Sequence, residues 1–448
     1  MINELENIAA EYPVGSTWTV TSGGRYGKKS RIRKIVAHRQ SQKNPHSILV
    51  IFSQMSEKGF LQTYHEDSGY FRMQMKRGRA ERLAPAPAQA TMSSKERLMH
   101  RGIHNIVARN VHQAIPEAYR LISVEGFQSD SRNGPVLVAP APVCTTYLKP
   151  LERVECWPER DSNPFFHFFE SLWMISGAND VSYPVHFASR MSEFSDDGVT
   201  FNGAYGHRWR KHFGRDQLVE IAATLRDNPL DRRCVLGMWD PRRDLKLISK
   251  DVPCNTQAYF TVGADGRLDL TVCCRSNDIV WGCYGANAVH FSVLLEVVAA
   301  MAHRPVGVYR QISNNWHAYL KTFEKVSCLS EYAPMEPRHS SSFDYYQEGV
   351  VKPFPIVGPE ESASEVLKDI EMFVSEGRPL IGMKSTFINQ VATPMLMSWN
   401  FFRDKNDPQR ISKAQEILRN CEATDWNNAC RMWLQRRARR QDEKGEVS

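Results

Sequence analysis

The sequence lacks the features that would place it in several special classes of protein. No apolar run approaches the length that spans a bilayer. The N-terminus has neither the basic region nor the apolar core of a secretory signal. None of the ten cysteines forms a CxxC pair, so neither a zinc site nor a disulfide framework is predicted. We therefore expect a cytoplasmic protein with no membrane contact and no bound metal.

The composition is that of an ordinary globular protein, with 42% hydrophobic and 24% charged residues. A length of 448 residues predicts two or three folding units. The net charge of +7 is uneven, because residues 1–85 hold 14 Lys and Arg against 7 Asp and Glu, whereas the remainder holds 43 of each. This asymmetry suggests nucleic-acid contact by the N-terminal part, and a solvated basic surface is the commoner explanation of such a charge.

The chain divides into four predicted parts. Residues 1–85 form a small basic domain, for which an SH3-like fold is the first hypothesis, and short β-rich stretches predict its strands at residues 16–20, 32–37, 47–52 and 70–75. Residues 86–94 are rich in Ala and Pro and indicate a linker. Ser93 and Glu96 suit a capping box at the start of the next helix.

The larger remainder predicts an α+β fold, with a core at residues 95–335 and a largely helical C-terminal extension at residues 336–448. Helices are predicted at residues 165–175, 287–303, 364–374, 410–418 and 425–440. Strands are predicted at residues 234–239, 259–262, 268–274 and 306–312. A turn at residues 264–266 joins two of these strands as a hairpin.

The best nucleophile candidate is Cys254, which follows Pro253 and precedes a predicted strand. A lone cysteine is usually structural, and its neighbours change that expectation. Residues 275–282 bring Arg, Ser and Asp together at a strand end, and Arg with Ser suits a phosphate. Residues 231–233 add two adjacent arginines. Such a positive field would also raise the thiolate fraction of a nearby thiol.

The order of these pieces resembles the thymidylate synthase family over about residues 115–330. Each piece alone is weak, whereas several in the right order are hard to obtain by chance. The matching positions are Glu170 in its helix, Tyr205 with residues 206–210, Arg232 with Arg233, Cys254 after Pro253, Arg275 and Ser276 with Asp278, His317 with Tyr319, and, less closely, Arg132 in the N-terminal phosphate loop.

The resemblance implies a reaction on a pyrimidine nucleoside monophosphate with 5,10-methylenetetrahydrofolate as the one-carbon donor. Cys254 would attack C6 of the base, which makes C5 nucleophilic. Glu170, acting through water, and Tyr205 would move protons. Asp278 would orient the base.

The remaining matched residues are implied to hold the nucleotide. His317 and Tyr319 would bind the sugar hydroxyl. The implied phosphate ligands are Arg132, Arg232, Arg233, Arg275 and Ser276. In this family the paired arginines reach into the neighbouring subunit's site, so the resemblance also implies a homodimer with shared active sites.

Two departures from the family pattern concern the base. Asn255 follows the nucleophile, where thymidylate synthases usually have His. Counted from Gly282, the position that usually reads the base falls on Ala286, and Asn287 comes one place late. An alanine side chain has no hydrogen-bonding group. Either the loop shifts so that Asn287 reads the base, or recognition has changed.

Further departures favour a hydroxymethyl product. Residues 275–282, RSNDIVWG, resemble more closely the phage deoxycytidylate hydroxymethylases, which finish with water in place of hydride, although their usual base-reading Asp is absent. A polar, partly basic helical tail replaces the short apolar lid that usually excludes water. The resemblance therefore places the chain in the cytoplasm of a bacterial or phage-infected host cell.

Three hypotheses follow from the sequence. The first is hydroxymethylation of dCMP or dUMP at C5 through a Cys254–C6 adduct, for modified DNA precursors. The second is a thymidylate synthase that makes dTMP from dUMP. The third is a non-catalytic nucleic-acid-binding protein on a thymidylate-synthase-like core, and the presence together of Cys254, Glu170 and Arg275 argues against it.

Overall fold

The computed structural model describes residues 102–333 and 343–441 in full, together with the backbone of residues 442–445 and of five strands within residues 17–82. The chain divides into two compact units, residues 1–100 and 101–448. The predicted linker, the capping box of Ser93 and Glu96 and the predicted strand at residues 70–75 lie outside the described residues. The four-part division of the chain stays a prediction.

The N-terminal unit contains a five-stranded antiparallel sheet in the order β4-β3-β2-β1-β5. Its strands are β1 Thr17–Gly24, β2 Gly27–Gln40, β3 Ile48–Met55, β4 Leu61–Asp67 and β5 Ala80–Arg82. Three of the predicted strands, at residues 16–20, 32–37 and 47–52, are confirmed. The SH3-like fold and the contact with nucleic acid stay predictions.

The second unit is built on an eight-stranded mixed sheet. The strands are β6 His104–Ala108, β7 Phe127–Ser129, β8 Val136–Val138, β9 Val143–Tyr147, β10 Val235–Gly237, β11 Asn255–Val262, β12 Leu268–Asp278 and β13 Val306–Tyr319. Six of them follow the order β10-β11-β12-β13-β8-β7, and β9 pairs with both β13 and β6. β11 and β12 are antiparallel, whereas β12 and β13 are parallel.

Helices cover one face of this sheet, which confirms the predicted α+β class. They are α1 Val111–Glu125, α2 Pro164–Ile175, α3 Ser182–Phe187, α4 Tyr205–His207, α5 Gln217–Asp227, α6 Asn287–Met301, α7 Leu320–Phe323, α8 Ala363–Glu376, α9 Thr393–Arg403, α10 Arg410–Ile417 and α11 Thr424–Gly445. The five predicted helices are present, whereas the other six, α1, α3, α4, α5, α7 and α9, were not predicted.

The central helices are buried because their sequences are apolar on every side. All residues of α2 and nearly all of α6 are buried, as expected for helices without a polar face. Among the described residues, one continuous helical stretch, 279–301, is long and apolar enough to cross a membrane, and 89% of its most apolar window is buried inside the protein. The expectation that no apolar run approaches that length was therefore wrong, and burial identifies this stretch as a core helix.

The C-terminal helices pack onto the same core through aromatic side chains. Trp399 of α9 and Trp433 of α11 contact Phe165 of α2, with ring centroids 5.3 and 5.9 Å apart. Trp426 meets Phe168 edge to face at 5.2 Å. Because aromatic rings bury large apolar areas, the helical extension shares a core with α2.

β13 continues well beyond its predicted end at residue 312. Its burial alternates up to Ser313 and then changes at Asn314 and Asn315, which are exposed. Pairing with the end of β12 continues the strand, so that Asp278 lies opposite His317. The alternating pattern marked only the first half of the strand, because the second half follows the edge of the site.

A π-helical segment, Ile279–Ala286, joins β12 to α6. The carboxylate of Asp278 caps it by accepting hydrogen bonds from the backbone N–H groups of Val280 and Trp281, at 3.4 and 2.8 Å. Gly285 has φ −122° and ψ −108°, outside helical values, and breaks the segment just before α6. π-Helical turns accommodate one extra residue and are frequent at functional sites.

Candidate active site

Cys254 lies at the bend that leads into β11, and a tyrosine holds its backbone. The hydroxyl oxygen of Tyr205 accepts hydrogen bonds from the backbone N–H groups of Cys254 and Asn255, at 2.8 and 3.0 Å. Tyr205 belongs to α4, so these bonds tie the helical layer to the sheet at the thiol. The side chain of Cys254 is half-buried. The structure thus brings two predicted catalytic residues together.

Arg275 of β12 encloses the same bend. Its guanidinium donates hydrogen bonds to the carbonyl oxygens of Pro253, at 2.8 Å, and Val252, at 3.1 Å. One of its nitrogens lies 3.9 Å from the sulfur of Cys254. A guanidinium has five N–H donors, so Arg275 keeps donors for an anionic ligand while it holds the backbone before the thiol. Ser276, half-buried, follows it in β12.

Two opposing effects act on the Cys254 thiol. Burial raises its pKa, because a thiolate loses solvation inside the protein, and the net shift is upward. The positive charges of Arg275 and, more weakly, Arg132 lower the pKa, whereas Asp251 raises it. The thiol therefore rests mainly in its protonated form, and an additional positive charge or a proton acceptor favours the thiolate.

A chain of buried amides runs beside the nucleophile. The amide NH₂ of Asn255 donates to Asn287 at 3.2 Å, that of Asn287 donates to Asn277 at 3.1 Å, and that of Asn277 donates to Ser313 at 3.0 Å. The oxygen of Asn255 is buried and has no hydrogen-bond partner within the described part of the chain. Buried polar atoms are rarely left unpaired, so this oxygen is a candidate contact for a ligand or a water.

The amide chain shows which residue of the base-reading loop lies near the nucleophile, while the role of that residue in reading the base stays a prediction. Asn287, and not Ala286, contacts Asn255 next to the nucleophile. The π-helical segment between Gly282 and α6 accounts for the displacement by one place, because a π turn accommodates one more residue than an α turn. Counting residues from Gly282 along the sequence does not reveal such a turn. The predicted residue Asn287 is therefore at the site.

Asp278 and His317 lie side by side at the ends of parallel strands. Burial raises the pKa of the Asp278 carboxyl, and burial lowers the pKa of the His317 imidazole. Each partner opposes the shift of the other through its charge. The rings of His317 and Tyr319 meet edge to face at 5.3 Å. The two residues of the predicted sugar-binding element are therefore adjacent to Asp278.

The predicted phosphate loop also reaches this group. The amide of Asn133 donates to the hydroxyl of Tyr319 at 3.3 Å. The guanidinium of Arg132 donates to the carbonyl oxygens of Ser249, at 3.1 Å, and Lys250, at 3.4 Å. Because these carbonyls lie just before the nucleophile, Arg132 and Arg275 hold the same segment of chain from two directions. Both arginines are suitably placed to share an anion.

Glu170 lies in α2 against a histidine that sequence reasoning missed. Nε2 of His290, in α6, is 3.1 Å from Oε2 of Glu170, and both side chains are buried. The orientation of the ring does not form a hydrogen bond across this gap, and both atoms lack a hydrogen-bond partner among the described residues. The sequence signal that could have indicated His290 is its spacing from Asn287. Residues three apart in a helix lie on the same face, so His290 shares the face of α6 that carries Asn287.

Arg232 and Arg233 are the predicted residues that the single chain does not bring to Cys254. Both are exposed just before β10. Arg233 forms an ion pair with Asp231 at 2.6 Å, and its side chain is 88% exposed. Among the fully described residues, neither arginine makes a hydrogen bond to the group around Cys254.

Arg160 is a second residue at the site that no sequence pattern indicated. Its side chain is almost completely buried and donates to the carbonyl oxygens of Val280, at 2.7 Å, and Tyr284, at 3.0 Å. It also bonds to the hydroxyl of Tyr119 at 2.5 Å. The guanidinium thus fixes the two halves of the π-helical segment from the side of the core. An isolated Arg in a loop carries no pattern that predicts this contact.

The edge of the site fits the chemistry of a folate. Trp281 is 53% exposed and lies three residues after Asp278. A flat exposed ring offers a stacking surface for a pterin, and a carboxylate accepts hydrogen bonds from its N–H groups. Within the described residues, no group of three or more His, Cys, Asp and Glu side chains could hold a metal ion.

Comparisons with known proteins identify the family. The thymidylate synthase family matches residues 165–343. A deoxyuridylate hydroxymethyltransferase of Pseudomonas phage M6 is 49% identical over 334 residues, which cover 74% of this chain and 94% of that protein. A deoxyuridylate hydroxymethyltransferase of Bacillus phage SP01 is 32% identical over 247 residues, which cover 52% of this chain and 63% of that protein.

A solved thymidylate synthase of T4 phage is 21% identical, with a TM-score of 0.42, and covers 56% of this chain and 89% of that chain. The identity to the phage M6 protein over nearly its whole length decides the family. The chain belongs to the thymidylate synthase family and is a one-carbon transferase.

Proposed function

We propose that this chain transfers a hydroxymethyl group to C5 of deoxyuridine monophosphate, with 5,10-methylenetetrahydrofolate as donor. The observation that carries the proposal is the position of Asn287, which the π-helical segment brings next to Asn255 and the nucleophile. The relatives named deoxyuridylate hydroxymethyltransferases support the same base and product.

The amide of Asn287 suits uracil. Uracil presents an N3–H donor beside an O4 acceptor, and one amide side chain pairs with both. The contacts with Asn255 and Asn277 orient this amide and leave it one free lone pair and one free N–H. The cytosine edge has the opposite donor and acceptor order, so it would require the whole amide chain to reverse.

The chain's own residues provide the covalent step. The sulfur of Cys254 forms a bond to C6, and the C5=C6 electrons move onto C5 and the O4 carbonyl. Arg275 holds the 5′-phosphate together with Arg132. The nucleotide's phosphate dianion is therefore held beside the thiol of Cys254. Tyr205 keeps the nucleophile's backbone in place through its two hydrogen bonds.

Folate supplies the one-carbon unit at the oxidation level of formaldehyde. Trp281 and Asp278 would hold its pterin, and Glu170 accepts and returns protons near the base. A hydroxymethyl product requires water to complete the reaction. A methyl product, made by a thymidylate synthase, requires a hydride and yields dihydrofolate. These outcomes consume different partners, so they are separable in one assay.

We also propose that the active enzyme is a homodimer formed through the outer face of the sheet. This face exposes large apolar side chains: Val107 is 60%, Val235 is 42% and Tyr259 is 37% exposed. Val235 and Tyr259 are direct cross-strand neighbours. Exposed apolar side chains that lie together, as Val235 and Tyr259 do, commonly mark an interface. Arg232 and Arg233 lie just before Val235, where a second copy would bring them to its phosphate site.

The experiment that tests the function is a product mass measurement in heavy-oxygen water. Purified protein is mixed with methylenetetrahydrofolate and either dUMP or dCMP. We expect 5-hydroxymethyl-dUMP with one heavy oxygen and no dihydrofolate. A methyl product with dihydrofolate would overturn the proposal in favour of thymidylate synthesis, and hydroxymethyl-dCMP would overturn the choice of base.

Two variants serve as controls for this assay. Cys254→Ser should abolish both the product and the protein-bound nucleotide adduct, because serine is far less nucleophilic at neutral pH. Arg190→Gln should leave both unchanged, because Arg190 is exposed and pairs only with Glu193 three residues later. If wild-type protein forms no adduct with either nucleotide, the result would favour the third hypothesis, a non-catalytic nucleic-acid-binding protein.

A further inference from the structure

Two polar atoms face each other in the core without a hydrogen bond. They are Nε2 of His290 and Oε2 of Glu170, 3.1 Å apart. The side chains are 2% and 8% exposed. Buried polar atoms are rarely left without a partner, so two of them together indicate a group that needs a third partner.

This pair lies on the side of α6 that faces the base-reading amide. His290 is three residues after Asn287, so both side chains share one face of α6. Asn287 in turn contacts Asn255, which adjoins the nucleophile. Glu170 approaches from α2, the helix that packs against α6. The pair therefore lies on the same side of α6 as Asn287, next to the chain of amides that leads to the nucleophile.

Two other titratable residues lie near the pair. The carboxylate of Asp251 accepts a hydrogen bond from the backbone N–H of Gly203 and interacts with Glu170 through its charge. His167 lies one turn before Glu170. Burial lowers the pKa of His167 to about 3, and the charges of His290 and Arg160 add to the effect. His167 therefore stays neutral at physiological pH and does not compete for the proton.

We propose that His290 and Glu170 together hold the water that becomes the hydroxyl group of the product, with His290 as a positioning residue. This inference rests on the proposed hydroxymethyl transfer. The imidazole N–H donates to the water oxygen, and the carboxylate accepts one of its hydrogens. The remaining lone pair of the water then points at the reacting carbon.

The step balances without an oxidant or a reductant. After tetrahydrofolate has left, the nucleotide carries an exocyclic C5=CH₂ and is still bonded through C6 to the sulfur of Cys254. The water oxygen forms a bond to the CH₂ carbon, while Glu170 takes a proton. The C5=CH₂ electron pair moves to C5, re-forms C5=C6 and breaks the C6–S bond, whose electrons leave on sulfur. The proton on Glu170 then neutralises the thiolate.

The test compares His290→Phe with His290→Gln in the presence of 2-mercaptoethanol. The exocyclic methylene is electrophilic, so an added thiol competes with water and gives a thioether. Tritium release from C5 of labelled dUMP reports the earlier steps. Phenylalanine fills the space and removes the N–H, whereas glutamine keeps a donor.

In His290→Phe we expect the ratio of hydroxymethyl to thioether product to fall about tenfold to a hundredfold. Tritium release should stay within about threefold of wild type, since the earlier steps do not use this water. His290→Gln should recover most of the ratio. Ser292→Ala, which removes another buried polar group from α6, controls for general damage and should keep the wild-type ratio.

Two results would overturn the inference. An unchanged product ratio in His290→Phe would make His290 a packing residue only. Equal losses of tritium release and of both products, not restored in His290→Gln, would assign it to an earlier step or to folding. Wild-type protein that yields no hydroxymethyl product would instead defeat the proposed function, and this is measured before any variant.

Discussion

At the scale of single residues, the reactivity of Cys254 depends on a balance between burial and positive charge. Burial raises the pKa of the thiol, and the charge of Arg275 opposes it. Arg275→Gln removes that charge, so the pKa should rise further and the thiolate fraction at pH 8 should fall. We expect alkylation of Cys254 by iodoacetamide to slow about threefold or more, measured by mass spectrometry across pH 7–10.

The matched control for this prediction is Arg232→Gln. Arg232 is also a predicted phosphate ligand, yet it is exposed and does not contact Cys254 in the same chain. The alkylation profile of this variant should follow that of wild-type protein in the absence of nucleotide. A profile of Arg275→Gln that coincides with wild type would show that the guanidinium does not influence the thiol.

Residue identity predicted most of this site, whereas residue contacts did not follow from the sequence. Cys254, Tyr205 and Arg275 are recognisable by type and order, and the structure brings them together. His290 and Arg160 were missed because each matters through a long-range contact between buried groups. No local pattern encodes such a contact, so the side chain facing a residue is known only after folding.

At the scale of elements, Arg160 should control the order of the π-helical segment. The guanidinium of Arg160 donates to the carbonyl oxygens of Val280 and Tyr284, one in each half of the segment. Arg160→Met keeps a long apolar side chain and removes both donors. We expect faster hydrogen exchange in residues 279–286 and a KM for dUMP raised about tenfold, since the base reader follows this segment.

Arg190→Met is the control, because Arg190 is exposed and makes only a local ion pair. It should change neither the exchange rates nor the KM. Unchanged exchange in Arg160→Met would mean that the backbone alone maintains the segment. A rise in KM without faster exchange would separate base recognition from the order of the loop.

Elements with a regular pattern were predicted better than elements that turn at the site. The helices around residues 165–175 and 287–303 and the hairpin of β11 and β12 follow from apolar runs and turn residues. The second half of β13 and the π-helical segment were not predicted. Both depart from standard periodicity where they present polar groups to the ligand, so periodicity does not reveal them.

At the scale of the whole molecule, a buried carboxyl in the C-terminal helices makes the stability of the folded chain depend on pH. Asp425, at the start of α11, is 2% exposed and accepts a hydrogen bond from the hydroxyl of Tyr346 at 2.8 Å. Burial raises the pKa of its carboxyl from 3.8 to about 6. The folded state therefore favours the protonated form of Asp425. The contribution of this carboxyl to stability is fully present below about pH 4 and is lost as the pH rises through 6.

Asp425→Asn mimics the protonated carboxyl and should remove this loss. The free energy of unfolding of the variant relative to wild type should increase by on the order of 2–3 kcal/mol between pH 4 and pH 7. Urea denaturation at several pH values measures this difference. Asp227→Asn, at a site where the side chain is 74% exposed, should not reproduce it. An equal pH profile for Asp425→Asn and wild type would contradict the prediction.

The whole molecule also determines where the paired arginines act. In one chain Arg232 and Arg233 lie away from Cys254, so if they bind phosphate they do so in a second copy. Cys254→Ser and the double variant of Arg232→Ala with Arg233→Ala should each have little activity. In a mixed dimer of the two, one site combines an intact nucleophile with intact arginines from its partner.

Random reassociation of equal amounts makes half of the dimers mixed, so about a quarter of the wild-type activity should return. Native mass spectrometry before and after mild unfolding and refolding would show the mixed species, and product formation would be measured on the same samples. Mixed dimers without recovered activity would show that the arginines serve their own chain or only the interface. Because either parent alone lacks a complete site, recovered activity can come only from residues shared between two chains.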